Sequence, residues 1–176
     1  MIFLSLSMSP SAFPRKFAGM YKNTICLFFM LLALGSCDLR SQFDFKKERE
    51  RIAAYNSMLQ ADADFSRRSE EVGLRRAFME YIENDAVMLR PGSLPWVGAD
   101  AVDKLSALND SAVVLRWEPK GGDISGDMGM GYTFGTYEME FTDSLYTGSY
   151  VTIWKKQEDG NWRFILDSRN EGAGKW

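Results

Sequence analysis

Apolar positions recur along this chain in three successive patterns. The first is an unbroken block, Ile25 to Leu34, preceded by Lys22 and followed by Gly35, Ser36 and Cys37. The second is helical. From Lys47 to about Glu71, the residues Ile52, Tyr55, Met58/Leu59 and Phe65 fall at spacings of three and four, which predicts an amphipathic helix. Asp62 lies on that stripe, whereas Asp64 points elsewhere. Gly73 interrupts the run. Leu74, Ala77, Phe78, Tyr81 and Ile82 then predict a second helix to about Asn84, with Arg75, Arg76, Glu80 and Glu83 on its opposite face. A short strand, 86–90, is stopped by Pro91-Gly92, a loop at 93–98 holds Trp96, and a third helix covers about 99–108. The third pattern is alternation, which begins at Ala112. It predicts strands at 112–126 (kinked near Pro119 to Gly122), 128–141, 145–157 and 161–170. Turn residues separate them near Gly126-Asp127, Thr142-Asp143 and Asp159-Gly160. Helices followed by a meander make the fold class α+β. A curved antiparallel sheet wrapped around the first helix would leave a cone with one open end.

The apolar block is too short for a membrane-spanning helix. Ten helical residues rise about 15 Å, half of a hydrocarbon core of about 30 Å. A cation, an apolar run and small residues before a cysteine describe an export signal. Leu34-Gly35-Ser36-Cys37 resembles a bacterial lipobox, which implies a signal peptide over 1–36, with Met20 a plausible start, and lipidation of Cys37. Residues 37–46 would then be a polar tether, 47–170 the folded domain and 171–176 a tail. The expected location is the bacterial cell envelope, anchored in a membrane by lipid. Asp38 after the cysteine resembles an inner-membrane retention signal of some Gram-negative bacteria.

Composition narrows the chemistry. Histidine is absent, so imidazole acid–base work and histidine-ligated zinc are excluded. Of the two cysteines, Cys26 would leave with the signal and Cys37 would carry lipid, which leaves none for a disulfide, a nucleophile or a metal. Three of the 21 Lys and Arg residues precede Cys37 and none of the 24 Asp and Glu residues does, so the remainder is acidic. An acidic domain without a basic stripe argues against nucleic acid as a partner. The glycines at 121–122 and 126–135 lack the setting of a phosphate loop. No cofactor and no metal are expected.

Several segments together carry a family resemblance. They are Ala61-Asp62-Ala63-Asp64-Phe65-Ser66, Phe78 with Asp85 to Gly92, Trp117-Glu118-Pro119, Gly131 to Tyr137, and Gly148 to Gln157 with Gly160-Asn161-Trp162. This set resembles the nuclear transport factor 2-like superfamily, in the branch catalogued as domain of unknown function 4440, near the SnoaL and ketosteroid isomerase-like proteins. The resemblance implies the cone-shaped fold over most of 47–170. It says little of activity, because this fold hosts isomerases, dehydratases, cyclases and plain binders. In the isomerase branch the base is an aspartate before the proline that closes the first strand. Arg90 stands there in this chain, and arginine does not abstract protons at neutral pH. A twofold dimer through the sheet is common in the family. The part-apolar character of both sheet faces, Tyr150, Thr152 and Trp154 on one and Val151 and Ile153 on the other, is compatible with a homodimer.

The expected function is the binding of a small apolar molecule, one that could carry a carboxylate, in the cone. Asp62, Arg90 and Tyr132 would supply polar groups, and Tyr55, Trp96, Trp117 and Trp154 would complete the site. Asp62 has two readings: a base with a pKa raised by apolar neighbours, or a structural acceptor for Tyr, Trp or Arg90. Arg90 likewise either clamps a ligand carboxylate or pairs with Asp62, Asp85 or Asp127. Asp167 shares a strand face with Arg163 and is expected to partner Arg163 or Arg169. The competing functions are an isomerase or lyase with Asp62 as base and Tyr132 or Arg90 stabilising an oxyanion, and an assembly module whose cone is filled.

Overall fold

The computed structural model describes residues 18–172, with side chains from residue 42 onward. The chain forms two compact units, Met1–Lys47 and Glu48–Trp176. The first is described here only as helical backbone from Ala18, and its expected signal segment and Cys37 lie outside the described side chains. Helix α1 spans Ala18–Val72 and so runs through the residues expected to be a tether. From 38 to 72 the chain contains neither proline nor glycine, and Glu, Lys, Arg, Ala and Leu are strong helix formers.

In the second unit α1 ends at Gly73, whose φ of 90° is open to glycine at little cost. Its buried stripe is Ala54, Met58, Asp62, Phe65, Ser66 and Ser69, and Ile52 is exposed. The stripe is therefore rotated slightly from the expected one, and Asp62 stays on it. Helix α2, Leu74–Tyr81, buries Ala77 and Phe78. The Asp110 carboxylate accepts the Arg75 backbone N–H at 2.7 Å, so a distant loop satisfies a donor in the first turn of α2. Strand β1, Ile82–Leu89, starts four residues earlier than the pattern suggests, because Ile82 pairs with Phe164. Within the expected loop, Trp96–Val97 forms β2, which pairs with Met88 and Val87 of β1. Helix α3 is Ala99–Ser106.

Strands β3 (Val114–Ile124), β4 (Met130–Glu140), β5 (Leu145–Lys156) and β6 (Trp162–Glu171) form the expected meander. The register slips between Pro119 and Gly121, where the sequence places a kink. Glu171, assigned to the tail from sequence, is the last residue of β6. The sheet order is β2-β1-β6-β5-β4-β3, and β1 lies parallel to β6. The sheet is thus mixed rather than wholly antiparallel. No hairpin joins β1 to β6, so their direction is set by packing and not by a turn.

The core lies between the helices and the inner face of the sheet. Phe65 is its hub, with ring centroids 4.6–6.1 Å from Phe78, Tyr81, Trp117, Trp154 and Phe164. Inner residues of β5 are Gly148, Tyr150, Thr152 and Trp154, all buried. Gly148 is required by closeness: a Cβ there would lie 2.0 Å from the Asn170 carbonyl oxygen and 2.7 Å from the Tyr137 ring.

Candidate functional site

A cavity of about 610 Å³ opens at one end of this core. Its floor is Phe78 of α2 and Met88 of β1. Trp96, Leu105 and Leu108 form one wall, and Tyr137 and Met139 of β4 form the other. Phe141 and Tyr146, at the base of the β4–β5 hairpin, complete an apolar surround. The polar groups are fewer. Arg90 follows β1, Arg169 and Glu171 share one face of β6, and Asp110 and Asp143 stand at the lining's loop positions. A mostly apolar cavity with a few placed polar groups is the usual form of a small-molecule site.

The two arginines meet at one carboxylate. Met88 of β1 lies beside Asp167 of β6 in the parallel pair, which brings Arg90 and Arg169 to the same place. Arg90 Nη2 lies 2.5 Å from Asp167 Oδ1, and Arg169 Nε lies 3.6 Å from the same oxygen. Asp167 Oδ2 accepts the Thr152 hydroxyl at 3.0 Å. Arg90 Nη1 donates to the backbone carbonyls of Leu89 and Asp167 at 2.9 and 3.2 Å. Arg90 is therefore well supplied with acceptors. Arg169 is not: its side chain is 6% exposed, and its Nε has no hydrogen-bond partner among the described residues. Three rings surround its guanidinium instead, Phe78 at 5.0 Å, Trp117 at 5.2 Å and Tyr137 at 5.6 Å. Faces of rings attract a cation but do not accept its N–H groups in the manner of an oxyanion.

Titration follows from this geometry. Burial pushes the Arg169 guanidinium down to about 10, against the pull of Asp167. Burial alone would raise Asp167, but Arg90 and Arg169 together hold it below the usual carboxylate range. Burial also raises the Tyr137 hydroxyl, which Arg169 partly offsets. Among the described residues, no group of three or more Cys, Asp or Glu side chains is arranged to hold a metal ion.

The residues singled out from sequence divide into three sets. Arg90 and Trp96 line the cavity. Trp117, Trp154 and Tyr55 do not. Trp154 is fully buried and donates to the Thr133 hydroxyl at 2.9 Å, and Tyr55 packs against the core. Trp117 is a core ring behind Arg169. Trp117 and Trp154 turn onto Phe65, with ring centroids 4.6 and 6.1 Å away, rather than toward the open end. Tyr132 is the plainest correction. It is 43% exposed on the outer face of the sheet, since side chains alternate along β4 and Thr133, Gly135 and Tyr137 occupy the inner face. Tyr137 stands in the cavity where Tyr132 was expected.

Asp62 is fully buried and lies outside the cavity lining. Trp117 Nε1 donates to its Oδ1 and the Tyr150 hydroxyl to its Oδ2, both at 2.7 Å. Burial raises its pKa, and the bonds from Tyr150, Trp117 and Thr133 work the other way. It pairs with neither Arg90 nor any other cation among the described residues. Asp127 is bound within its own turn, to Ser125 and Gly129. Sequence reasoning missed Arg169 and Tyr137 as cavity groups. The available signal was parity: Asp167, Arg169 and Glu171 alternate on one face of the last strand, as do Tyr137 and Met139 on β4.

No protein-family model matches the sequence, and neither does any curated protein. Solved structures do match in shape. A proposed scytalone dehydratase from Novosphingobium aromaticivorans aligns over 69% of this chain and 86% of its own, at 12% identity and a TM-score of 0.57. A protein from Catenulispora acidiphila, solved in complex with S-DNPA, aligns over 68% and 94% at 16% identity and a TM-score of 0.52. An NTF-2-like protein of unknown function from Shewanella oneidensis aligns over 65% and 96% at 14% identity and a TM-score of 0.52. Identities this low speak for architecture alone. With three helices and a six-stranded mixed sheet arranged as in these proteins, the chain has the nuclear transport factor 2-like, ketosteroid isomerase-like fold.

Proposed function

We propose that this chain binds a small apolar molecule in the cavity and holds an anionic end of it, such as a carboxylate, at Arg169 and Arg90. The observation that carries this reading is Arg169. A buried guanidinium without a full set of acceptors is costly, and a ligand oxyanion entering from the open cavity would supply them. The S-DNPA complex of the Catenulispora protein is a precedent for a small molecule on this fold. A cavity of this size disfavours the filled-cone reading, and the position of Asp62 gives no support to its use as a base. Isothermal titration of the protein with decanoate tests the proposal. Binding that falls about tenfold or more in Arg169→Met supports it; equal binding by that variant refutes it.

The outer face of the sheet carries Tyr132 beside Ile153 and Phe134 beside Val151, with Leu166 next to Ile153 and Val87 next to Leu166. A contiguous apolar stripe of this kind supports a homodimer through the sheet. The lipobox resemblance supports lipidation of Cys37 and an envelope location. Membrane fractionation of Cys37→Ser checks it: release into the soluble fraction is expected, and unchanged membrane partitioning refutes it.

A further inference from the structure

Resting on the binding reading above, we infer that the cavity selects ligands with a single negative charge, and that Asp167 sets this limit. Two guanidiniums, Arg90 and Arg169, line the cavity, and the Asp167 carboxylate is buried behind them. Asp167 is 1% exposed; its Oδ2 accepts the Thr152 hydroxyl, and its Oδ1, without a hydrogen bond of regular geometry among the described residues, lies within ion-pair distance of both arginines. It therefore cancels one of the two positive charges permanently and leaves one for a ligand. Among the described residues the lining holds no third cation, and Lys104, 5.4 Å from the ring of the lining Trp96, is paired with Asp100 at 2.8 Å. The other charged lining residues are acidic: Glu171 two positions from Arg169 on the same strand face, Asp143 in the hairpin, and Asp110, which is occupied by the Arg75 N–H. A second negative charge on the ligand would have no cation to meet and would face Glu171 and Asp143. In a low-dielectric cavity such a mismatch is strongly felt. The apolar walls give a monoanion its body, so the ligand class is an apolar monoanion such as a monocarboxylate rather than a dianionic phosphate monoester.

Three probes with the same ten-carbon chain separate the parts of this claim: decanoate, decyl phosphate and decanol, titrated into the protein at pH 8, where the phosphate is a dianion. Decanoate is expected to bind about tenfold or more tightly than either other probe. In Asp167→Asn the advantage of decanoate over decyl phosphate should fall about tenfold, because two positive charges then face the ligand. Should Asp167→Asn fail to fold, Arg90→Gln serves. It leaves one guanidinium against one carboxylate, and the advantage of decanoate over decanol should vanish. Decyl phosphate binding as tightly as decanoate to the unmutated protein overturns the selectivity while leaving the binding proposal intact. An unchanged probe ranking in whichever variant folds overturns the role of Asp167. Failure of all three probes to bind overturns the binding proposal itself, and this inference with it.

Discussion

Replacing Asp62 with alanine and with asparagine should give different outcomes. The carboxyl is fully buried and receives two short bonds, from Trp117 Nε1 and the Tyr150 hydroxyl. Alanine removes both acceptors and leaves two buried donors without partners. Each such donor costs about 1–3 kcal/mol, so Asp62→Ala should lose about 2–6 kcal/mol. A domain of this size is stable by about 5–15 kcal/mol, and the loss would be plain in a urea melt as a fall in midpoint at unchanged slope. Asparagine keeps one carbonyl oxygen for Trp117 but turns its N–H groups toward the Tyr150 oxygen, so only the Tyr150 hydroxyl proton loses its acceptor and Asp62→Asn should lose about 1–3 kcal/mol at neutral pH, half the loss of alanine. The pH dependence has a definite sign. Burial raises the Asp62 pKa in the folded state, so folding takes up a proton above the unfolded value of about 4. Parent stability relative to Asp62→Asn should fall as pH rises from there through the folded pKa. Equal losses for the two variants, or a parent that gains on Asp62→Asn with rising pH, would refute the reasoning.

Other expectations follow from particular contacts. Asp167 titrates in the opposite sense: its folded pKa is lowered, so its contribution is present above about pH 4 and is lost as pH falls through the folded value. Acid titration of Asp167→Asn by circular dichroism should therefore show a shallower loss of stability below pH 4 than the parent. Gly148→Ala should destabilise the domain by several kcal/mol, since its Cβ meets backbone and ring, whereas Gly126→Ala, with nothing within 4 Å, should be close to neutral in the same melt. Phe134→Glu places a charge on the outer stripe beside Val151. Sedimentation should show a dimer for the parent and a folded monomer for this variant, and a parent that sediments as a monomer refutes the proposed interface.

Much of the architecture was legible because it rests on local pattern. Spacing of three and four located the folded part of α1 and α2, and alternation with Asp-Gly and Thr-Asp turns located the meander. The pairing of β1 with β6 was not legible, since it joins strands some eighty residues apart through packing rather than a turn. That pairing is also what assembles the site. Arg90 could be read from its place after a strand and before Pro91, but its meeting with Arg169 across Asp167 depends on β1 lying parallel to β6. Tyr132 and Tyr137 differ in parity by one, and only the buried run Thr133, Gly135 and Tyr137 decides which ring faces inward. Trp117 and Trp154 were expected to wall the site and instead lie in the core outside the cavity lining, because sequence does not say how deep a ring lies. Asp62 was found by its place on an apolar stripe. That same burial allowed two readings, and the contacts made with Trp117 and Tyr150 are those of a structural acceptor.

The most direct measurement is a crystal structure of the protein grown with 10-bromodecanoate. The account predicts density for the chain between Met88, Trp96 and Met139, with the carboxylate within about 3 Å of the Arg169 guanidinium and Asp167 still paired to Arg90. A ligand bound with its carboxylate at the cavity mouth, away from both arginines, would contradict it.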